Sequence, residues 1–288
     1  MTTAVAPETA AAKQATVKLT AAQVQFFHDN GYIAIPSISN PAEIERMKLA
    51  YDDIFARRCG RDEGNQFDLG GTDEENKTAA LPQILNPKKY HADLNNTQAE
   101  ANALAICKQL FGDACNGGGS HAICKPARYG APTPWHQDEA YWNSNLVYNS
   151  VSVWIPLQDA TLANGCMQFI PGTNKWEVQP HHHINNDPRI HGLEADDGFY
   201  DASKAVACPI PAGGCTIHAS RTYHYAGPNN SDLPRRALII GFGLPTKERE
   251  KKRIFPWQEI TATAREARRK EFDAKKGAPC KPGGSMGM

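Results

Sequence analysis

From Gly119 onward, the chain consists of short apolar or alternating runs separated by clusters of Gly, Pro and Asn, and this pattern restricts the folds open to it. In SVSVWIPL (150–157), Val151, Val153 and Ile155 lie at alternate positions, which is typical of a strand with one buried face. Four further runs behave in a similar way: MQFIPG, AVACPIP, GCTIHA and RALIIGFG. We therefore predict antiparallel sheets, arranged as a jelly-roll barrel that can hold a ligand in its mouth.

Helix signals dominate the residues before this region. Thr20 and Gln23 have the spacing of a capping box, and Gly31 can end the helix that they begin. Asn40 is the expected N-cap of a second helix, and a third is expected from Thr97 to Leu110. The predicted fold class is accordingly mainly β with flanking helices (α+β), with the helices at the N-terminal side.

A length of 288 residues suits one large domain, which we place at 19–275, between a disordered leader (1–18) and a flexible tail (276–288). The 31 basic and 31 acidic residues cancel, so neither nucleic acid nor an anionic membrane is favoured as a partner. There is no apolar run long enough to span a bilayer and no secretory signal. Eight Cys without a C-x-x-C pair indicate reduced thiols and a cytoplasmic protein, whose oligomeric state the sequence leaves open.

The stretch TPWHQDEAYW (133–142) places two good metal ligands two residues apart in an aromatic run. Residues i and i+2 of a strand share a face, so His136 and Asp138 can reach one atom together while Gln137 points away. A second pair with this spacing, His91 and Asp93, lies in a polar segment without a strand pattern, and we interpret it as surface. Because the spacing alone is common by chance, a metal site needs a third ligand.

Segment 213–242 offers that ligand, since His224 follows a predicted strand and Arg235 opens the next one. Two His and one carboxylate can bind one face of an octahedral Fe(II) and leave three positions open. A guanidinium group nearby can hold a carboxylate of a further ligand in a bidentate pair. A structural role for these polar residues, or a zinc hydrolase with a metal-bound water, remains an alternative.

The motifs WHQD (135–138), NGCMQFIPGTNK (164–175), and HYAGPN followed by RRAL (224–238) resemble the phytanoyl-CoA dioxygenase family over roughly residues 20 to 245. The resemblance implies a double-stranded β-helix, a cupin-like barrel, and a non-haem Fe(II)- and 2-oxoglutarate-dependent dioxygenase. Such an enzyme consumes O2, forms succinate and CO2, and hydroxylates or otherwise oxidises a small organic substrate, with ascorbate as a supporting reductant. The alternative function is a non-catalytic β-barrel that binds a metal or small ligand.

The resemblance also implies roles for individual residues. Many members have a hydroxyl side chain where this chain has Ala226, so one expected contact to the cosubstrate is missing. The implied iron ligands are His136, Asp138 and His224, and the implied cosubstrate residues are Arg235, which pairs with the C5 carboxylate of 2-oxoglutarate, Trp154 and Gln83.

Other polar and aromatic residues have two interpretations each. Tyr141, Trp142 and His218 are either packed in the core or in contact with substrate. His181 to His183 belong to a long polar loop (174–203) that is either solvated or a lid. The sequence favours a solvated Lys125. The charged stretch KEREKKR (247–253) is also expected at the surface.

Overall fold

The computed structural model describes residues 13–277, so most of the predicted leader and tail lies outside the described residues. Residues 13–19 have no regular secondary structure, yet they run along a helix. The backbone N–H of Thr16 donates to Asn102 Oδ1 at 2.7 Å, and that of Leu19 donates to Gln109 Oε1 at 2.8 Å. Ordered contacts therefore begin before residue 19, where the sequence placed the start of the domain.

Fifteen strands and five α-helices are described, together with short 3-10 turns. The helices are α1 (Ala21–Asn30), α2 (Pro41–Ala56), α3 (Gln98–Phe111), α4 (Pro256–Glu259) and α5 (Ala264–Gly277). The strands are β1 (Tyr32–Ile35), β2 (Gln66–Asp68), β3 (Pro82–Leu85), β4 (Asn116–Lys125), β5 (Thr133–His136), β6 (Leu146–Val147), β7 (Ser150–Pro156), β8 (Met167–Phe169), β9 (His181–His183), β10 (Leu193–Ala195), β11 (Val206–Cys208), β12 (Cys215–Ala219), β13 (His224–Ala226), β14 (Arg235–Gly243) and β15 (Lys247–Glu248).

Two sheets dominate the structure. The larger has seven strands in the order β1-β12-β7-β14-β4-β3-β2, and the smaller has four in the order β11-β8-β13-β5. The strand pairs β9–β10 and β6–β15 form two further small sheets, and every pairing between described strands is antiparallel. The structure therefore confirms a mainly β fold with helices.

Strand β7 separates two apolar clusters. Val151, Val153 and Ile155 pack on one face with the apolar sides of α1, α2 and α3, as their alternation predicts. Trp154 points the other way, into a second cluster with Met167 and Phe169 of the smaller sheet. The large sheet is thus covered by helices on one face, which leaves its other face to line a cavity against the small sheet.

The helix termini follow the predicted caps. Thr20 and Gln23 form the capping box of α1, and Gly31 ends that helix with a φ of 80°. The Asn40 side chain accepts from the N–H of Glu43 at the start of α2. The third helix begins after Thr97, which accepts from Glu100 in the same way. These three helices are confirmed because their signals are local to the chain.

Other elements differ from the sequence interpretation. The predicted loop at 174–203 contains the β9–β10 hairpin, and α5 was not foreseen. Residues of α5 are held by distant partners, since Arg265 lies over the ring of Phe67 and Arg268 pairs with Asp73. No helix among the described residues is long and apolar enough to cross a membrane. The seven cysteines within 13–277 are free thiols, as expected, while a cytoplasmic location stays a prediction.

Candidate active site

Two imidazoles meet across the smaller sheet. His136 ends β5 and His224 begins β13, and the two are direct cross-strand partners with ring centroids 4.1 Å apart. The pairing of these strands contains a one-residue irregularity. Ala226, two residues after His224, pairs with Thr133, which lies three residues before His136. Pro134 lies in this irregular stretch, where a residue without an N–H breaks no ladder bond.

Each imidazole is oriented by its own backbone. The Nδ1 atoms lie 2.7 Å from Pro134 O for His136 and 2.9 Å from Thr222 O for His224. Because a carbonyl only accepts, Nδ1 carries the proton and Nε2 keeps a free lone pair. Burial lowers the pKa of both imidazoles, which keeps them neutral. Both rings are therefore prepared to act as metal ligands through Nε2.

Asp138 completes the set, although it does not lie on the strand. Strand β5 ends at His136, and Asp138 begins a 3-10 turn (138–141), which corrects the strand assignment. Gln137 between them is still extended, with φ −117° and ψ 128°, so the predicted common orientation survives. Asp138 Oδ1 lies 3.5 Å from His136 Nε2 and 3.4 Å from His224 Nε2. One ligand atom from each residue lies within 4.8 Å of the others, which suits a single metal ion.

The other carboxylate oxygen of Asp138 is held from the larger sheet. Ser152 Oγ donates to Oδ2 at 2.6 Å, and His218 Nε2 lies 3.3 Å from the same atom. Oδ1 thus remains free for a cation. The sequence analysis did not predict this contact of Ser152. The signal for it is the cross-strand pairing of Ser152 in β7 with His218 in β12, which is visible only in the folded sheet.

A cavity of about 500 Å³ opens beside this cluster, between the two sheets. Arg235 lines it with a side chain that is 1% exposed, stacked 5.3 Å from the ring of Trp154. Its Nε and Nη1 atoms are buried without a hydrogen-bond partner. Burial lowers the pKa of Arg235 to about 10, so the group is still charged at neutral pH. A buried guanidinium with free N–H groups is prepared for an anion that enters the cavity.

Lys125 is not solvated, contrary to the sequence interpretation. It is fully buried, and Nζ donates to Ala131 O at 2.8 Å, Ala226 O at 2.8 Å and Gly227 O at 2.7 Å. These carbonyls come from two segments about a hundred residues apart, so their convergence could not be seen in the sequence. Burial of a long cation is possible here because every donor finds an acceptor.

All of the other proposed contact residues line the cavity: Gln83, Trp154, Tyr141, Trp142 and His218. Tyr141 Oη also accepts from the N–H of Leu193 at 2.6 Å, so its own proton is free to point elsewhere. Several lining residues were missed because nothing in their local sequence marks them. These are Asn86, Ser120, His121, Thr133 and His191.

The histidine run 181–183 is structural where it is buried. His181 Nε2 accepts from the backbone N–H of Gln137 at 3.1 Å. The ring nitrogens of His183 lie within hydrogen-bond distance of backbone oxygens, Nδ1 at 2.7 Å from Ile190 O and Nε2 at 3.0 Å from Trp257 O. Only His182 is partly exposed, beside Glu194 and Asp196. The hairpin thus braces the backbone between His136 and Asp138, and its role as a lid stays a prediction.

The predicted surface stretch 247–253 is in part an anchor. Arg253 Nη2 donates to the buried carboxylate of Glu139 at 2.8 Å. Just beyond it, Trp257 Nε1 and Gln258 Nε2 donate to Ala140 O at 2.9 and 2.8 Å. These contacts hold the 3-10 turn that carries Asp138. They depend on residues more than a hundred positions away, so charge alone suggested a solvated segment.

The chain is similar to a known family and to proteins within it. The sequence profile of the family described as Phytanoyl-CoA dioxygenase (PhyH) matches residues 27–237. A probable alpha-ketoglutarate-dependent hypophosphite dioxygenase of Stutzerimonas stutzeri is 25% identical over 225 residues, which cover 77% of this chain and 78% of that protein. A phytanoyl-CoA dioxygenase domain-containing protein 1 of Danio rerio is 29% identical, over 77% of this chain and 89% of that protein.

A solved structure is similar over nearly its whole length. EvdO2 from Micromonospora carbonacea var. aurantiaca, complexed with 2-oxoglutarate, is 34% identical and superposes with a TM-score of 0.71. The match covers 85% of this chain and 99% of that one.

Proposed function

Since the chain belongs to the phytanoyl-CoA dioxygenase family and is an Fe(II)- and 2-oxoglutarate-dependent dioxygenase, we propose that His136, Asp138 and His224 hold its iron and Arg235 its cosubstrate. One observation carries the assignment. Two imidazole nitrogens and one carboxylate oxygen converge on the cavity wall that also contains a buried, unpaired guanidinium. Structural polar residues would instead saturate one another's hydrogen bonds.

The donor set does not suit a structural zinc ion, and the similarity to Fe(II)- and 2-oxoglutarate-dependent enzymes favours iron over the catalytic zinc of a hydrolase. Two neutral imidazoles and one carboxylate leave coordination positions open, as a non-haem iron oxygenase requires. When bound, iron and 2-oxoglutarate supply the oxidising chemistry, in which O2 is consumed and succinate and CO2 form. The protein's own part is to fix the two Nε2 atoms, to keep Oδ1 of Asp138 available through the Ser152 hydrogen bond, and to exclude water.

Arg235 fits the distal carboxylate of 2-oxoglutarate. Its free Nε and Nη1 can donate to a carboxylate, and the ring of Trp154 holds the plane of the guanidinium. Gln83 lines the same cavity and offers an amide to the ligand. Ala226 lines the cavity without a hydroxyl, and the hydroxyl of Thr133, its cross-strand partner, lies in the same wall.

The finer fold assignment follows the same reasoning. We assign the seven-stranded and four-stranded sheets to the two sides of a double-stranded β-helix, with the cavity between them. Ligand sites in such barrels lie in the mouth, which is where the His136–Asp138–His224 cluster is found.

The substrate that fits the remaining cavity is a small uncharged organic molecule. Among the described lining residues, Arg235 is the only Lys or Arg, and it is committed to the cosubstrate. Two further imidazoles in the lining are uncharged, because burial lowers the pKa of His121 to about 4 and that of His191 to about 3. A CoA thioester or a small oxyanion would find no cation to pair with. Tyr141 and Trp142 offer aromatic surface and hydrogen bonds instead.

A turnover assay tests this function. The purified protein with Fe(II), ascorbate and 2-oxoglutarate is offered a panel of neutral and anionic candidate substrates, and succinate and a product heavier by one oxygen, or lighter by two hydrogens, are measured. With a neutral substrate we expect succinate together with the oxidised product. With His224→Ala we expect neither compound. Turnover confined to CoA thioesters or oxyanions would overturn the substrate class. Bound iron without succinate from any substrate would favour a binding protein.

A further inference from the structure

Two buried cations face each other on neighbouring strands of the large sheet. Lys125 ends β4 and Arg235 begins β14, and the two are direct partners in the register of these strands. Cross-strand partners project from the same face of a sheet. The exposed fractions are 0% for Lys125 and 1% for Arg235, so both charges lie inside the protein.

The hydrogen bonds of Lys125 identify its charge state. Its Nζ contacts three carbonyl oxygens, at 2.8, 2.8 and 2.7 Å, and a carbonyl can only accept. Three such bonds need three N–H donors, which the ammonium form has and the neutral amine lacks. Burial and the charge of Arg235 lower the pKa of Lys125, so the protein holds this charge against an electrostatic cost.

Nothing among the described residues neutralises the pair. Neither cation has a carboxylate partner, and Arg235 keeps two buried nitrogens, Nε and Nη1, unpaired. Like charges placed directly opposite destabilise a sheet, and the more so in a medium of low dielectric constant. An anion in the cavity would offset the electrostatic repulsion between the two cations. Only Arg235 lines the cavity and can contact that anion directly.

We propose that Lys125 is a specificity residue for the cosubstrate, whose buried ammonium makes the Arg235 subsite prefer a 2-oxo acid with an ionised distal carboxylate over one with an uncharged tail. The proposal rests on the assignment of 2-oxoglutarate to Arg235 made above. Lys125 acts at a distance, since its three donors are all engaged by the backbone of Ala131, Ala226 and Gly227.

A purely structural role for Lys125 predicts a different result. Two of these three hydrogen bonds tie β4 to Ala226 and Gly227, just after His224, so losing them would disturb the site for every ligand alike. A charge effect depends instead on whether the ligand carries the distal carboxylate. The comparison of 2-oxoglutarate with 2-oxopentanoate, which has a methyl group at that end, separates the two roles.

The test is calorimetric titration of the Mn(II)-loaded protein with each ligand. For Lys125→Gln we expect about tenfold weaker binding of 2-oxoglutarate. The variant lacks the ammonium charge beside the buried pair that Arg235 forms with the distal carboxylate of the ligand. The dissociation constant of 2-oxopentanoate should change less than about twofold. The matched control is Lys88→Gln, which removes a lysine that pairs with Glu100 away from the cavity. Equal weakening of both ligands, or of neither, would overturn the proposal.

Two further measurements separate the possible failures. Arg235→Gln should weaken 2-oxoglutarate strongly, and if it does not, the cosubstrate assignment itself is wrong. If Lys125→Gln does not fold, the ¹³Cε resonance of Lys125 in the wild-type complex with 2-oxoglutarate reports its charge at pH 7. An ammonium is expected, and a neutral amine there would refute the proposal.

Discussion

His136 and His224 are cross-strand partners whose Nε2 atoms lie 3.5 and 3.4 Å from the same oxygen of Asp138. The distance between the two imidazoles is therefore set by the register of β5 and β13 rather than by a flexible loop. The backbone oxygens that hold each ring, Pro134 O and Thr222 O, belong to the segments immediately before the ligands. The backbone of these two segments therefore sets the positions of both rings.

Removing one imidazole should abolish metal binding. His224→Ala leaves one imidazole and one carboxylate, which is too few ligands to hold a divalent ion of this kind. Titration of the metal-free protein with Mn(II) or Fe(II) under anaerobic conditions measures the effect. His91→Ala, in the second His-x-Asp pair, is the control and should bind metal like the wild type. Metal binding by His224→Ala equal to wild type would remove this residue from the site.

The hydroxyl of Ser152 should contribute to metal affinity without touching the metal. Because it donates to Asp138 Oδ2 at 2.6 Å, Ser152→Ala frees the carboxylate to rotate, and we expect roughly tenfold weaker metal binding. Ser150 is the matched control on the same strand, since its buried Oγ has no hydrogen-bond partner. Identical metal affinities of the two variants would argue against a role for this hydrogen bond.

Arg235 and Arg236 are neighbours that point to opposite faces of β14. Arg235 lines the cavity, whereas Arg236 pairs with Asp52 of α2, with Nη2 2.8 Å from Oδ2. Arg235→Ala should cost about 2–5 kcal/mol of 2-oxoglutarate binding, at least a tenfold rise in its dissociation constant, while iron still binds. Arg236→Ala loses a partly exposed ion pair worth under about 1 kcal/mol of stability, and it should change 2-oxoglutarate binding little. The reverse ranking in 2-oxoglutarate titrations would contradict the assignment.

Glu43 should make stability depend on pH in the acid range. Its carboxylate accepts from the N–H groups of Gln98 and Ala99 and so caps α3 from α2. Burial opposes ionisation, but Ser39 and these two N–H groups outweigh it and lower the pKa of Glu43 below its ordinary 4.5. The stabilisation is therefore complete above pH 4.5 and is lost as pH falls through the lower folded value.

We expect Glu43→Gln to lower the free energy of unfolding by about 2 kcal/mol at pH 7. The difference in the free energy of unfolding between Glu43→Gln and wild type, measured by urea titration, should become smaller as the pH is lowered. Glu45→Gln on the same helix is the control, because Glu45 is exposed and pairs only with Lys48. A difference that stays constant between pH 7 and pH 3 would mean that the carboxylate charge of Glu43 is not involved.

The features that the sequence predicted are those encoded by neighbouring residues. Thr20, Asn40 and Thr97 cap helices through bonds that span three positions, and the alternation in β7 needs only the chain itself. The His136–Asp138 pair belongs to the same class, since an extended Gln137 suffices to orient both. Segment 213–242 offered His224 and Arg235 as candidates, resemblance to a family implied their roles, and the structure brings them to the same cavity.

What the sequence missed depends on residues that meet only after folding. Lys125 is buried because carbonyls of residues 226 and 227 reach it, and α5 is held by Phe67 and Asp73. A Lys and an Arg-rich helix look solvated when charge is the only guide. Ser152 illustrates the same limit, because a polar residue in a strand becomes informative only when its partner across the sheet is known.

The anchoring of the Asp138 turn by Arg253, Trp257 and Gln258 bears on how the enzyme is made in the cell. During translation His136, Asp138 and His224 leave the ribosome long before residues 253–258 do. A nascent chain therefore contains these three residues while the turn that carries Asp138 still lacks its support. The turn gains this support only after residues 253–258 have been made, so we expect iron binding to follow their synthesis.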